Sequence, residues 1–139
     1  MNLVLDASMA LAWAFERKDP IEHDCAGRAL AALSKGDGLV PALWHAEVLN
    51  GLLVGERRQV ITSIEVGDFL ARLDLLSIVQ DSALPALRRQ AIASLARQYR
   101  LTAYDACYLD LVLRSGLTLA TFDVALATAT QAAGGAVFH

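Results

Sequence analysis

Four acidic side chains interrupt otherwise apolar stretches of this 139-residue chain, namely Asp6, Glu47, Asp105 and Asp123. Each lies at or just past a point where a strand is expected to end or a helix to begin. Carboxylates gathered from distant parts of a chain repel one another by roughly 3–4 kcal/mol per close pair at an effective dielectric near 20, unless a cation lies among them. If the four converge in the fold, they predict a site for a hard divalent metal ion.

Three of these acids also have ordinary structural interpretations. Asp6 follows an apolar run, where an aspartate often bonds the amides of a turn. Asp105 stands three residues after Thr102 and could form half of a capping box, worth about 1 kcal/mol together with the helix dipole. Asp123 could cap the last helix of the chain. Taken one at a time, these three acids do not require a function.

Glu47 lies inside a helix expected from Leu43 to Glu56, beyond reach of its first turn. Its helical neighbours are apolar, small or amide side chains, so a buried carboxylate there needs a partner. Asn50 on the same face could orient the carboxylate but cannot neutralise it. The environment of Glu47 therefore favours a bound cation.

The order of expected elements indicates an α/β fold in a single domain covering residues 1–139. Short strands alternate with one or two helices, which is typical of a parallel sheet covered on both faces. Strands are expected at Asn2–Leu5, Leu39–Val40, Ser77–Val79, Leu117–Ala120 and Ala136–Phe138. Helices are expected after Ser8, after Asp19-Pro20, from Leu43, from the Thr62 capping box, from Pro85, from Thr102 and from Asp123. Ligands of such sheets bind beyond the carboxyl ends of the strands, and Asp6 and Asp123 both follow a strand.

Charge is distributed unevenly along the chain, whose formal net charge is −3. No acid occurs from Ser82 to Tyr104, a segment with four arginines that could contact phosphates: Arg88, Arg89, Arg97 and Arg100. The alternative is an ordinary solvated helix face. Asp110 pairs in sequence with Arg114 at i+4 and is expected to be exposed.

Several classes of site are disfavoured by the sequence. Cys25 and Cys107 are far apart and have no histidine at ligand spacing, which speaks against a zinc site or a disulfide framework. No apolar run approaches the length of a membrane span, so the chain is expected to be soluble and cytoplasmic, with no membrane contact.

Four short motifs together closely resemble the PIN-domain nucleases, in particular the VapC toxins of bacterial toxin–antitoxin pairs. They are Val4-Leu-Asp-Ala-Ser8, Glu47-Val-Leu-Asn50, Thr102-Ala-Tyr-Asp-Ala106 and Leu119-Ala-Thr-Phe-Asp123. The likeness spans nearly the whole chain. It implies a three-layer α/β/α fold with a parallel sheet in the order 3-2-1-4-5.

The resemblance also implies a site and a reaction. Asp6, Glu47, Asp105 and Asp123 would form an acidic pocket for Mg²⁺ or Mn²⁺, with Ser8, Asn50 and Thr121 as polar neighbours. Asp6 and Asp105 would be direct ligands, and Glu47 and Asp123 would complete the shell. A metal-activated water would then hydrolyse an RNA phosphodiester. The implied partners are an RNA substrate, a VapB-like antitoxin and a second copy in a homodimer.

Two alternatives remain open on the sequence alone. One is a PIN-like module that binds nucleic acid or protein without catalysis. The other is a Mg²⁺-dependent phosphatase of the haloacid-dehalogenase type, which also begins with a strand followed by an aspartate. That class needs a second aspartate where this chain has Ser8.

Overall fold

The computed structural model describes all residues 1–139 as four parallel strands and seven helices. The strands are Leu3–Leu5 (β1), Gly38–Val40 (β2), Ile78–Gln80 (β3) and Thr118–Ala120 (β4). The helices are Ala7–Ala14 (α1), Pro20–Leu33 (α2), Leu43–Arg57 (α3), Ser63–Leu73 (α4), Pro85–Tyr99 (α5), Ala103–Ser115 (α6) and Val124–Ala132 (α7). This succession of elements confirms the expected α/β class.

The sheet has the order β3-β2-β1-β4, and all neighbouring strands are parallel. Beyond β4 the expected fifth strand is reduced to a single parallel bridge between Leu119 and Val137. The Leu119 amide donates to the Ala136 carbonyl at 2.9 Å, and the Phe138 amide donates to the Leu119 carbonyl at 2.8 Å. The predicted order 3-2-1-4-5 is therefore confirmed, with its last strand shortened to one pair.

The core lies on both faces of the central strand. All three residues of β1, Leu3, Val4 and Leu5, are fully buried, as expected for a parallel strand covered by helices on each side. None of the seven helices combines the length and apolar character needed to cross a lipid bilayer.

Side-chain caps fix where several helices begin. Asp19 accepts a hydrogen bond from the Ile21 amide at 2.8 Å at the start of α2, and Thr62 and Glu65 form a complete capping box at the start of α4. The prediction that Ser8 caps α1 is wrong, because Asp6 occupies the N-cap position. The Ser8 hydroxyl instead donates to the Asp6 carboxylate.

Two glycines on α3 allow it to pack closely against α1. A Cβ atom added at Gly51 would lie 2.5 Å from Leu11 Cδ1, and one added at Gly55 would lie 2.5 Å from Phe15 Cζ. Separations this short would require Leu11 and Phe15 to move from their present positions. Gly51 is one turn beyond Glu47, so this contact sets how near Glu47 comes to the end of β1.

Helices α5 and α6 are joined by a network of ion pairs. Asp110 is 3% exposed and accepts hydrogen bonds from Arg88 at 2.5 and 3.1 Å and from Arg114 at 2.9 Å. Arg114 also donates to Asp81 at 2.6 Å. We call Asp81, Arg88, Asp110 and Arg114 the arginine-paired cluster. The predicted pairing with Arg114 is confirmed, but the expected exposure of Asp110 is wrong, because α5 covers it and supplies Arg88.

Candidate active site

The N-termini of four helices meet at the carboxyl edge of the sheet. Helices α1, α3 and α7 each follow a strand, and α6 runs back toward the start of β4, so all four begin at that edge. Each contributes one acid near its start: Asp6 and Asp123 at N-caps, Asp105 in the first turn of α6, and Glu47 in the second turn of α3. We call these four residues the acidic site. The positive ends of the helix dipoles reduce the cost of placing carboxylates there.

Asp6 is 5% exposed and is held by two hydroxyl groups. Ser8 Oγ and Thr121 Oγ1 each donate to Asp6 Oδ2 at 2.6 Å. Burial raises the pKa of Asp6, and the two hydroxyls and the Ala7 amide only partly offset that rise. Oδ1 receives no hydrogen bond from a side chain, so it remains available to a cation.

The same two hydroxyls join the turn after β1 to the turn after β4. Ser8 Oγ accepts from the Phe122 amide, and Thr121 Oγ1 accepts from the Asp123 amide, both at 2.9 Å. Ser8 and Thr121 are therefore both hydrogen-bonded to Asp6, and their role as supporting residues of a metal site stays a prediction.

Glu47 is held by a tyrosine that sequence reasoning missed. Tyr108 is fully buried, and its hydroxyl donates to Glu47 Oε1 at 2.5 Å. Burial raises the pKa of Glu47, the Tyr108 bond lowers it, and the charges of Asp6 and Asp105 raise it further. Burial and the bond to Glu47 raise the pKa of Tyr108 well above its usual value. The expected partner Asn50 is exposed and makes no hydrogen bond to Glu47.

Tyr108 follows Asp105 by three residues on α6, so both side chains lie on one face of the helix. That spacing was the one signal in the sequence that could have marked it. A tyrosine within an apolar helix is usually a core residue, and only the position of Glu47 across the interface distinguishes this one.

Asp105 and Asp123 differ in how much of each carboxylate the fold uses. The Asp105 amide donates to Thr102 Oγ1 at 3.1 Å, but its carboxylate does not complete the capping box. Burial and the charges of Asp123 and Asp6 raise the pKa of Asp105, and the Thr102 hydroxyl lowers it. Asp123 Oδ1 accepts from the Leu126 amide at 2.8 Å as the cap of α7. Its other oxygen is not needed for the cap.

No ion pair of the structure involves any residue of the acidic site. Asp6, Glu47 and Asp105 all have raised pKa values, and each is raised in part by another member of the site. The structure thus brings the four acids within electrostatic reach of one another and supplies no cation to balance them.

The donor set suits Mg²⁺ or Mn²⁺, because it consists of carboxylate oxygens without histidine or thiolate. In their present positions, however, no three acidic, histidine or cysteine side chains surround a single point where an ion could bind. Magnesium usually keeps several waters and takes only one or two carboxylates directly, so this looser arrangement is compatible with it.

The four arginines proposed for RNA contact lie on or just after α5. Arg88 is bound to Asp110, and Arg89 donates to the Ala86 carbonyl of its own helix at 3.3 Å. Arg97 and Arg100 are exposed. Contact of these four with RNA stays a prediction, and the existing ion pair of Arg88 makes it the weakest of the set.

Solved structures similar to this one share its fold. PAE2754 from Pyrobaculum aerophilum is 24% identical, with a TM-score of 0.69 over 99% of this chain and 83% of its own. FitAcB from Neisseria gonorrhoeae is 20% identical, with a TM-score of 0.64 over 100% of this chain and 97% of its own. At these identities the likeness shows the fold alone. No curated protein sequence matches the chain significantly.

A family model covers nearly all of the structure. The PIN domain model matches residues 3–130, a range that contains every member of the acidic site together with Ser8, Tyr108 and Thr121. PIN domains are generally nucleases. The match agrees with the resemblance carried by the four sequence motifs, and the chain belongs to the PIN domain family.

Proposed function

We propose that this protein is a Mg²⁺- or Mn²⁺-dependent endoribonuclease and the toxin of a VapBC-type toxin–antitoxin pair. The observation that carries the proposal is the acidic site itself, in which four carboxylates from distant segments share one edge of the sheet without a basic partner. Family membership supports nuclease chemistry, and it leaves the phosphatase alternative without support. A non-catalytic binding module would have no reason to retain four uncompensated acids.

The ligands of the metal would be carboxylate oxygens that the fold leaves free. Asp6 Oδ1 and the Asp105 carboxylate are the proposed direct ligands, because one has no side-chain donor and the other is released from its capping box. The second oxygens of Glu47 and Asp123 would complete the shell directly or through water. When bound, the metal would supply an acidified water and neutralise charge on the phosphate.

The protein's own side chains hold these ligands in place. The protons of the Ser8 and Thr121 hydroxyls both point at Asp6, so neither is disposed to act as a nucleophile. Tyr108 fixes one oxygen of Glu47 and is itself fully buried. Outer hydrogen-bond partners of this kind typically contribute 10- to 100-fold to metal affinity or activity.

Metal binding is tested by calorimetry with Mn²⁺. The wild-type protein is expected to bind, and Asp105→Asn is expected to lose most of its affinity. Asp68→Asn is the matched control, since it makes the same change at an exposed aspartate of α4 outside the site. Full affinity in Asp105→Asn would contradict the assignment.

Catalysis is tested by incubating the protein with structured RNA and Mg²⁺. We expect internal cleavage that stops with chelator and in Asp105→Asn but persists in Asp68→Asn. A matching DNA and a small phosphomonoester serve as comparison substrates. Cleavage of either in place of RNA would reject the ribonuclease.

The biological proposal has a separate test. Expression of the wild-type chain in a bacterial cytoplasm is expected to arrest growth, and a neighbouring gene for a VapB-like antitoxin is expected to relieve the arrest. Light scattering of the purified protein tests the proposed homodimer. Normal growth with active enzyme in the cell would leave a nuclease that is not a toxin.

A further inference from the structure

The segment between α1 and α2 borders the acidic site and carries two adjacent cations, Arg17 and Lys18, between two acids, Glu16 and Asp19. A groove of about 600 Å³ lies along it and also touches Ser8, the residue that holds Asp6. None of the sequence motifs points to this segment, and the four arginines predicted to contact RNA lie elsewhere. We call this cavity the Arg17 groove.

Arg17 is held against the acidic site by an aromatic ring. Its guanidinium carbon lies 4.3 Å from the centroid of the Phe122 ring, a cation–π geometry. Phe122 lies between Thr121 and Asp123 in the sequence, and its amide donates a hydrogen bond to Ser8 Oγ. Arg17 is therefore attached to the segment that also carries Thr121 and Asp123.

Only part of the guanidinium is occupied. Glu22 approaches Arg17 Nε at 3.3 Å, and the terminal nitrogens form no hydrogen bond. The side chain is about one-third exposed, and it faces an open groove. A planar guanidinium with free terminal nitrogens can bind a phosphate through two parallel hydrogen bonds.

An RNA strand that approaches this site is repelled by the carboxylates. Its phosphates must approach four carboxylates in a chain of net charge −3, and two of the nearby helical arginines, Arg88 and Arg114, are already paired with aspartates. Productive binding therefore requires at least one accessible cation beside the acids. Arg17 meets that requirement, with Lys18 next to it on the exposed side.

We propose that Arg17, oriented by Phe122 and Glu22, binds a backbone phosphate of the RNA next to the bond held at the acidic site. This inference rests on the proposed ribonuclease function. It assigns the Arg17 groove as the path by which the substrate strand enters or leaves the site.

Binding is measured by fluorescence anisotropy with a short labelled single-stranded RNA and Mg²⁺, in the Asp105→Asn background so that the strand stays intact. Arg17→Ala is expected to weaken binding about tenfold, as for loss of one charged hydrogen bond. The slope of log affinity against log salt should fall by about 0.7, the value for one phosphate contact on a single strand. Arg17→Lys should keep the salt slope and lose only part of the affinity.

Arg72→Ala is the matched control for charge. Arg72 is exposed in the last turn of α4, which leads to the amino end of β3 at the opposite edge of the sheet. It should change neither the affinity nor the salt slope. If Arg17→Ala behaves like Arg72→Ala, the inference is overturned.

Glu22→Gln separates phosphate binding from a purely structural role. Removing the acid frees Arg17 Nε, so binding is expected to tighten by about twofold to fivefold, the range of a surface ion pair. If Arg17 served only to pin the segment, Glu22→Gln would leave binding unchanged or weaken it. This variant also decides the matter if Arg17→Ala fails to fold.

The two proposals fail in different ways. Wild-type protein that cleaves RNA while Arg17→Ala cleaves and binds it equally well would overturn the Arg17 assignment and keep the nuclease. Wild-type protein that neither binds nor cleaves RNA would overturn both.

Discussion

Helix α6 carries two aspartates in opposite electrostatic settings. Asp110 belongs to the arginine-paired cluster, where burial raises its pKa but hydrogen bonds from Arg88 and Arg114 outweigh that and hold the pKa below its usual value. Asp105, five residues earlier on the same helix, belongs to the acidic site and has no cation. Burial and its acidic neighbours raise its pKa.

The comparison shows that burial alone does not mark a functional carboxylate. Asp6 and Asp110 are almost equally buried, at 5% and 3% exposure. They differ in their partners, since Asp110 meets two guanidinium groups and Asp6 meets two hydroxyls. A buried carboxylate without a cation carries a desolvation cost, which falls when the carboxylate binds an external ion or takes up a proton.

The largest effect is expected from breaking the arginine-paired cluster at Arg114, which bonds both Asp81 and Asp110. Arg114→Ala should lower the free energy of unfolding by about 2–3 kcal/mol, somewhat less than for a fully buried pair, because Asp110 keeps Arg88. Urea denaturation measures the change. Arg89→Ala removes an exposed arginine of α5 that is not part of the cluster, and it should leave the free energy of unfolding unaltered. Equal losses in both variants would refute the role given to the cluster.

The next largest effect is expected at Tyr108, the neutral side chain that donates a hydrogen bond to Glu47. Tyr108→Phe removes the hydroxyl that orients Glu47 and should reduce Mn²⁺ affinity by about 10- to 100-fold, the usual range for a partner of a metal ligand. Calorimetry provides the measurement. Tyr104→Phe makes the same change at an exposed tyrosine of α6 and should bind Mn²⁺ normally.

The two regions should also respond to pH with opposite signs. For Asp6, Glu47 and Asp105 of the acidic site the folded-state pKa values are raised, so the stability that these groups contribute is greatest below the unfolded values near 4 and is lost as pH rises through the folded ones. The two carboxylates of the arginine-paired cluster, Asp81 and Asp110, have lowered folded-state pKa values. The stability that they contribute is present above about pH 4 and is lost as pH falls through the folded values. In chelator, the free energy of unfolding should therefore rise as pH is lowered from neutrality toward the unfolded values near 4. A steady fall over that range would contradict the assignment of uncompensated acids.

The smallest effect is the stability of the metal-free protein after Asp105→Asn. The amide removes a repelling charge and keeps the backbone bond to Thr102, so the free energy of unfolding in chelator should increase by up to about 1 kcal/mol. In saturating Mn²⁺ the order should reverse, because only the wild-type protein gains from the ion. Thermal melts with and without Mn²⁺ give both numbers, and Asp68→Asn should show neither change.

The elements were largely predictable because their start signals are local. Asp19-Pro20, Thr62 with Glu65, Pro85 and Thr102 each lie where a helix begins, and Gly116 ends α6 in the left-handed conformation. The same local signal has two outcomes, however. Thr62 and Glu65 complete their capping box, whereas Thr102 is not matched by the carboxylate of Asp105. Sequence alone could not separate these cases, because the acids that surround Asp105, Asp6 and Asp123, come from other segments.

The parts that could not be predicted depend on contacts between elements. Asp110 was expected to be exposed because the sequence shows only its i+4 partner, Arg114. Its second partner, Arg88, comes from α5 and covers it. Glu47 was identified correctly as needing a partner, but Tyr108 comes from 61 residues away, so Asn50 seemed the nearest choice. The fifth strand shortened to one bridge, since only Val137 pairs with β4.

The solvent exposure of α5 has a consequence for the dynamics of the molecule. None of its 15 residues is buried, and its main packing partner is α6. It is therefore the helix expected to unfold locally while the sheet and α1 remain intact, which fast amide hydrogen exchange in α5 would reveal. Each such opening would release Arg88 from Asp110 and loosen the chain just before Thr102. The rigidity of Asp105 would then be coupled to the local opening of a helix that lies outside the acidic site.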